Sequence, residues 1–324
     1  MMINSGMMIC SFFLKKSHSR GFEKVYQLNH EYEYEKEDDV ISYVDFFDML
    51  KEFCQKYSYN INDDKKMKTF SIPKGSIKEF ERETFRAIAC TVVSGAYGIE
   101  SDLTDSNTNE VLFHRDTHIA DNKKFNVVVY IPKDQRETEV SKGIIIFQSI
   151  GTYGVKMHTV KMLKSFFSEL GLTFETRSIS VRAFVEKLID QGSLYRLTLI
   201  KNKVSPDSSD RILINTGREE TSYIEPVLKP TWLNKLLVFF DRMDKDGIYE
   251  IDGEEFEDIK VQFKLGGRTR TARLRNIDRF SVVEDFPDTI FNNGKYNRDM
   301  LITYMIETAE AYKEKMVFTA GDEG

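Results

Sequence analysis

GIIIFQSIGTYGVKMHTVKMLKSFFSELGLTFETRSIS, residues 143–180, changes its hydrophobic rhythm twice. GIIIFQSIG (143–151) is a short apolar run between glycines, the pattern of a buried strand. From 155 to 170, Val160, Leu163, Phe167 and Leu170 recur at helical spacing, and Gly171 supplies a residue on which a helix readily stops. LTFETRSIS (172–180) returns to strand. The rhythm continues outward, with a short helix at 181–191 (VRAFVEKLIDQ) and a strand at 193–203 (SLYRLTLIKNK). PTWLNKLLVFFDRM (230–243) reads as a helix with proline at its start, followed by a β cluster over 248–284. The spacing of Leu301, Met305, Tyr312 and Met316 predicts a last helix over 298–316, capped by Asn297.

Toward the N-terminus strands dominate. They are predicted at 7–15, 24–35, 67–73, 84–98 and 125–133, with the polar run TDSNTNE (104–110) as a loop. One helix interrupts them at 43–57, with Ser42 as its cap and Asp45 at the capping-box position. The fold class is therefore α+β: a strand-rich N-terminal half, then a mixed half with a small β cluster and a C-terminal helix. The charged run DQRETEVSK (134–142) marks a boundary between residues 1–138 and 139–324.

The chain has 324 residues, a formal charge of −6 and 41% hydrophobic residues, enough apolar material for packed cores. Its three cysteines, Cys10, Cys54 and Cys90, are widely spaced and fit neither a zinc site nor a disulfide framework, which points to a cytoplasmic protein. The apolar start MMICSFFL fits a buried strand, not a signal peptide, because its basic residues follow the apolar run. No apolar stretch approaches bilayer length, so no membrane partner is expected.

Against the acidic average stands KVQFKLGGRTRTARLR, residues 260–275. It places Lys260, Lys264, Arg268, Arg270, Arg273 and Arg275 within sixteen residues, with Arg279 close behind. Gly266-Gly267 suits a tight hairpin turn, and Val261, Phe263 and Leu265 alternate with polar neighbours. A two-residue turn would put Arg268 and Arg270 on the face of Leu265 and Phe263; a three-residue turn would put Thr269, Thr271 and Arg273 there. Arginine forks and threonine hydroxyls suit a phosphate backbone, so the segment is a candidate nucleic-acid contact. The competing reading is neutralisation by Glu254, Glu255, Glu257 and Asp258. A second candidate is the strand–glycine–helix turn FQSIGTYGVK (147–156), where Lys156 and Lys161 could help hold a phosphate. It matches neither dinucleotide-binding nor P-loop spacing, and a tight turn is the simpler reading. The acidic run over 31–52 reads as a solvated face that could also attract the basic hairpin within a chain or between subunits.

The catalytic and metal motifs fail on particular residues. HRDTH (114–118) puts His114, Asp116 and His118 on one face of a strand but offers no fourth ligand. As a kinase loop it lacks the required asparagine, which is Asp121 here. DRMDKDGIYEIDGEE (241–255) imitates an EF-hand, yet its first and twelfth positions are Arg242 and Gly253. Asp258-Ile259-Lys260, with Asp252 or Asp246, is the remaining route to a metal-dependent nuclease. No catalytic residue, cofactor or metal is assigned.

The strand–glycine–helix block, the second strand–helix–strand unit and the basic β cluster, over roughly residues 143–285, resemble uncharacterised proteins that accompany bacterial anti-phage systems. The resemblance implies antiviral defence within a complex and carries over no functional residue. The expected function is a non-catalytic component that binds nucleic acid or assembles with a protein partner or further copies. A nuclease and a structural subunit are the alternatives.

Overall fold

The computed structural model describes residues 5–16, 24–36, 39–133, 140–151, 153–178, 194–203, 217–224, 249–251, 254–256, 258–265, 268–275, 281–292 and 295–315. The helices expected at 181–191 and 230–243, the Gly266-Gly267 turn, Asp246, Asp252, Arg279 and Met316 lie outside the described residues. The fold is α+β, as the alternating periods predict. Its contacts divide it into two compact units: Ser11–Arg177 with Arg298–Glu310, and Met1–Cys10 with Ser178–Asn297 and Ala311–Gly324.

In the first unit the sheet follows the order Gly143–Ile150, Asp121–Pro132, Phe85–Ala96, Lys68–Phe70, Ile61–Asp63. Its spine is an unbroken antiparallel register from Asp121↔Ala96 to Pro132↔Phe85. Val127–Tyr130 pair in turn with Ile144–Phe147. Both strands are apolar on both faces and are buried on both, so their pairing carries the sheet past the charged run at 134–142. That run is a connection within one unit. The two units exchange along the chain at 10/11, 177/178, 297/298 and 310/311.

Two helices, α1 (Phe46–Lys56) and α2 (Lys156–Glu169), share an aromatic core with this unit's strands. Phe12, Phe46, Phe167 and Phe174 form a closed ring of contacts, with centroids 5.1–5.6 Å apart and at most 2% exposure. Gly171 ends α2 at φ +69°, as its position predicts. The start of α1 differs from expectation. Its cap is Asp45, whose Oδ1 accepts from Phe47 N at 2.8 Å and Asp48 N at 3.3 Å. Ser42 instead belongs to strand Asp39–Tyr43, which pairs back on Tyr32–Lys36. The segment read as a single strand at 24–35 is thus Lys24–Tyr26, a turn, and the first strand of that hairpin.

The other face of the sheet carries Thr91 and Asn126, and the third helix, α3 (Arg298–Lys315), begins against it. Arg298 Nε donates to Asn126 Oδ1 at 3.1 Å and Thr91 Oγ1 at 3.2 Å, and its Nη2 donates to the Ser76 carbonyl. Asn126 donates to Gln148 Oε1 from both its backbone N (2.9 Å) and its side-chain amide (2.8 Å). These bonds satisfy polar groups that the burial of α3 takes out of water.

The second unit is an antiparallel sheet in the order Gly217–Ile224, Leu194–Lys203, Asp258–Leu265, Arg268–Arg275, Ser281–Asp285, then the start of Ser5–Lys16. Leu197, Leu199, Val261 and Phe263 are fully buried on one face. Glu284 is buried there too, its Oε2 accepting from the Tyr312 hydroxyl at 3.0 Å.

Candidate nucleic-acid interface

The register of the second unit decides what the basic segment presents. Leu265 pairs with Arg268, Phe263 with Arg270, Val261 with Ala272 and Ile259 with Leu274. This register assigns Arg268 and Arg270 to the face of the buried Val261 and Phe263. The opposite face takes Lys260↔Arg273, Gln262↔Thr271 and Lys264↔Thr269, with Arg275 next along the strand. The six candidates are thus split four to two by backbone alternation.

The neighbouring strand extends the four-cation face. A bulge between Leu194 and Arg196 brings Arg196 opposite Gln262, and Thr198 falls opposite Lys260. Across three strands backbone alternation assigns Arg196, Lys260, Lys264, Arg273 and Arg275 to this face, together with Thr198, Ile200, Gln262, Thr269, Thr271 and Asp258, and Thr198 and Ile200 are buried on it. Thr269 is exposed, whereas Lys260, Gln262, Thr271 and Arg196 are half-buried. Gln262 Nε2 donates to Thr271 Oγ1 at 3.4 Å. The Arg196 Nε donor is shielded from solvent with no hydrogen-bond partner among the described residues. Hydroxyl, amide and cationic side chains on one face are chemically suited to phosphate oxygens.

Lys156 and Lys161 belong to the first unit, on the opening turns of α2. Lys161 is ion-paired with Asp63, and that pair, foremost through its hydrogen bond, holds the Asp63 carboxyl below its ordinary value. Its charge is therefore shared with Asp63, although the side chain stays exposed. Lys156 is half-buried at the first helical position. His158, in the same turn, is buried. Its Nδ1 lies 3.1 Å from Ser94 Oγ, its Nε2 4.0 Å from Asp63, and its ring 5.1 Å from that of Phe70. Ser94 Oγ donates to the Thr69 carbonyl at 2.8 Å, which commits the hydroxyl proton away from the imidazole. Burial lowers the His158 pKa against the opposing pull of Asp63, with Lys68, Lys161 and Lys66 assisting.

The HRDTH segment forms an exposed hairpin edge. His114 Nδ1 lies 2.7 Å from Asp102 Oδ1, and this bond raises the imidazole pKa. No group of three or more possible metal-binding side chains occurs among the described residues. An open cleft of about 250 Å³ lies beside α1, lined by Leu28, Phe47, Arg86, Ile131 and Lys133 among others. Its charged groups are already engaged: Arg86 with Asp45, and Lys133 with Glu81 at 2.6 Å.

Arg196, whose basic charge is legible in the sequence, joins the hairpin face only through pairing with a strand about sixty residues away. Two features escaped the sequence reading, and Thr198 on that same strand is one. The hairpin Ser101–Thr104/Val111–Arg115, whose apolar residues are exposed, is signalled only by VLF following the polar loop. Among the described residues no helix is long and apolar enough to cross a membrane. No protein-family model, curated protein or solved structure matches the chain.

Proposed function

We propose that this chain is a non-catalytic nucleic-acid-binding component that grips the phosphate backbone with the polar face of its second-unit sheet. The observation that carries the reading is the alignment of Arg196, Lys260, Lys264, Arg273 and Arg275 on one face, interleaved with hydroxyl and amide side chains. Backbone gripping of this kind is independent of sequence and strongly salt-dependent. The same reading places the chain in a multiprotein assembly of the type used in bacterial phage defence, a role that rests on the resemblance of residues 143–285. Fluorescence anisotropy with labelled oligonucleotides tests binding directly. Replacing Lys260 and Arg273 by glutamate abolishes it if the reading holds; unchanged affinity removes the proposal.

A further inference from the structure

At one end of the first unit's sheet, strands Phe85–Ala96 and Asp121–Pro132 stop at the pair Ala96↔Asp121. The chain between them runs on as the hairpin Ser101–Thr104/Val111–Arg115, whose strands pair only with each other among the described residues. Thirteen large apolar side chains are exposed among the described residues, and eight of them gather at this end. Ile99, Leu103, Val111, Leu112 and Phe113 stand on the hairpin, Leu112 with 68% exposure. Met67, Tyr153 and Met157 stand at its base. Tyr97 N donates to the Met67 carbonyl at 3.0 Å, and Lys123 Nζ lies 4.4 Å from the centre of the Tyr153 ring. Met157 is in the first turn of α2, next to His158, whose ring meets Ser94 at the same strand end. Single exposed apolar residues are ordinary, but a cluster of this kind marks an interaction surface.

Charge divides the surface into two halves. The hairpin is acidic, with Glu100, Asp102, Asp105, Glu110 and Asp116. Its cations are committed locally: Arg115 Nη2 donates to the Ile99 carbonyl at 3.2 Å, and His114 lies between Asp102 and Asp116. The base is basic. Lys65, Lys66 and Lys68 are exposed there, and Lys68 lies opposite Ala96. The acids among them are engaged: Asp63 with Lys161, Asp121 with Lys123, and Asp64 as acceptor from the Tyr97 hydroxyl at 2.7 Å. An acidic apolar half therefore adjoins a basic apolar half. Both are exposed, so neither covers the other within one chain.

We propose that this end of the sheet is a two-fold interface between two copies of the chain, with the hairpin of each lying on the lysine-rich base of the other. A two-fold contact needs a self-complementary patch, and adjoining halves of opposite charge supply one. Hairpin against hairpin would oppose like charges, so the acidic half of one copy meets the basic half of its partner. The contact closes at two copies and gives the two-stranded ribbon, marginal by itself in water, a surface to pack on. It uses no residue of the second unit and no nucleic acid, so it stands or falls separately from the proposed function.

The test is sedimentation velocity of the full chain over a wide concentration range at low salt. The expected result is one association step that stops at twice the mass of the chain and weakens with added salt. Replacing Leu112 and Phe113 by serine weakens dimerisation at least about 100-fold, from the apolar area no longer buried. Both side chains are exposed, and circular dichroism confirms that the variant keeps its fold. Glu100→Lys with Glu110→Lys reverses the hairpin, and Lys66→Glu with Lys68→Glu reverses the base. Each variant alone is monomeric, because both of its reciprocal contacts then oppose like charges. An equimolar mixture dimerises again, because both contacts between unlike variants are attractive. Lys260→Glu with Arg273→Glu dimerises like the starting protein. A chain that stays monomeric at every concentration overturns the proposal, as does growth beyond two copies or a mixture that fails to dimerise.

Discussion

The split of the basic segment into two faces yields a quantitative expectation for salt dependence. Each phosphate neutralised on duplex DNA contributes about 0.9 to the slope of log affinity against log salt. If Arg196, Lys260, Lys264, Arg273 and Arg275 each meet one phosphate, the slope is about −4.5, and raising salt from about 50 to 200 mM costs about 500-fold in affinity. Replacing the register partners Lys260 and Arg273 by glutamine lowers the slope to about −2.7, and the same salt step then costs about 40-fold. Arg268 and Arg270 are the control. They are as basic and as close in sequence, but they share the face of buried Val261 and Phe263, so Arg268→Gln with Arg270→Gln leaves the slope near its starting value. Anisotropy titrations at several salt concentrations, on one labelled duplex, give all three slopes. Equal loss of slope in the two double variants would refute the two-face assignment, since charge density alone would then account for binding. An unchanged slope in the Lys260/Arg273 variant would remove the phosphate contacts themselves.

Four further outcomes follow from the packing. Phe12→Ala opens the four-phenylalanine ring and lowers stability by about 3–5 kcal/mol in urea denaturation. Asp45→Ala removes both the cap of α1 and the partner of Arg86, lowering stability by about 2 kcal/mol, while Asp45→Asn keeps the cap and recovers part of the loss. Arg298→Met leaves Thr91 and Asn126 facing a side chain that cannot donate, at a cost of about 1–3 kcal/mol read from the same denaturation curves. His158 has a folded pKa below its ordinary 6.5, so the unfolded chain binds more protons there. Stability is present above that value and falls as pH drops through it; His158→Gln flattens the difference between about pH 7 and 5, and a parallel fall in both proteins would contradict the assignment.

Local chemistry was legible wherever short-range sequence is sufficient. Residues 155–171 gave a helix and its stop because the spacing of Leu163 and Phe167, and the glycine's tolerance of positive φ, act within a few residues. The cap of α1 was misplaced by three residues. Ser42 and Asp45 have similar capping chemistry, and the choice depended on whether 39–43 paired as a strand, which Tyr32–Lys36 decides. The run at 134–142 has the composition of a linker, but composition does not show that the strands on either side of it are hydrogen-bonded neighbours. Lys161 looked available for an anion until folding brought Asp63 to it from 98 positions away.

The sequence by itself determined the α+β class, the presence of a basic glycine-containing segment in an acidic chain, and the failure of the kinase-loop and EF-hand motifs at individual positions. These depend on composition and on periods of two or three to four residues. Only the tertiary structure decided which arginines act together. The turn residues allowed either register, and a one-residue slip moves every side chain to the other face. The strand pairing Leu265↔Arg268 and Phe263↔Arg270 fixes that register. It assigns Lys260, Lys264, Arg273 and Arg275 to the face that Arg196 joins, and Arg268 and Arg270 to the other.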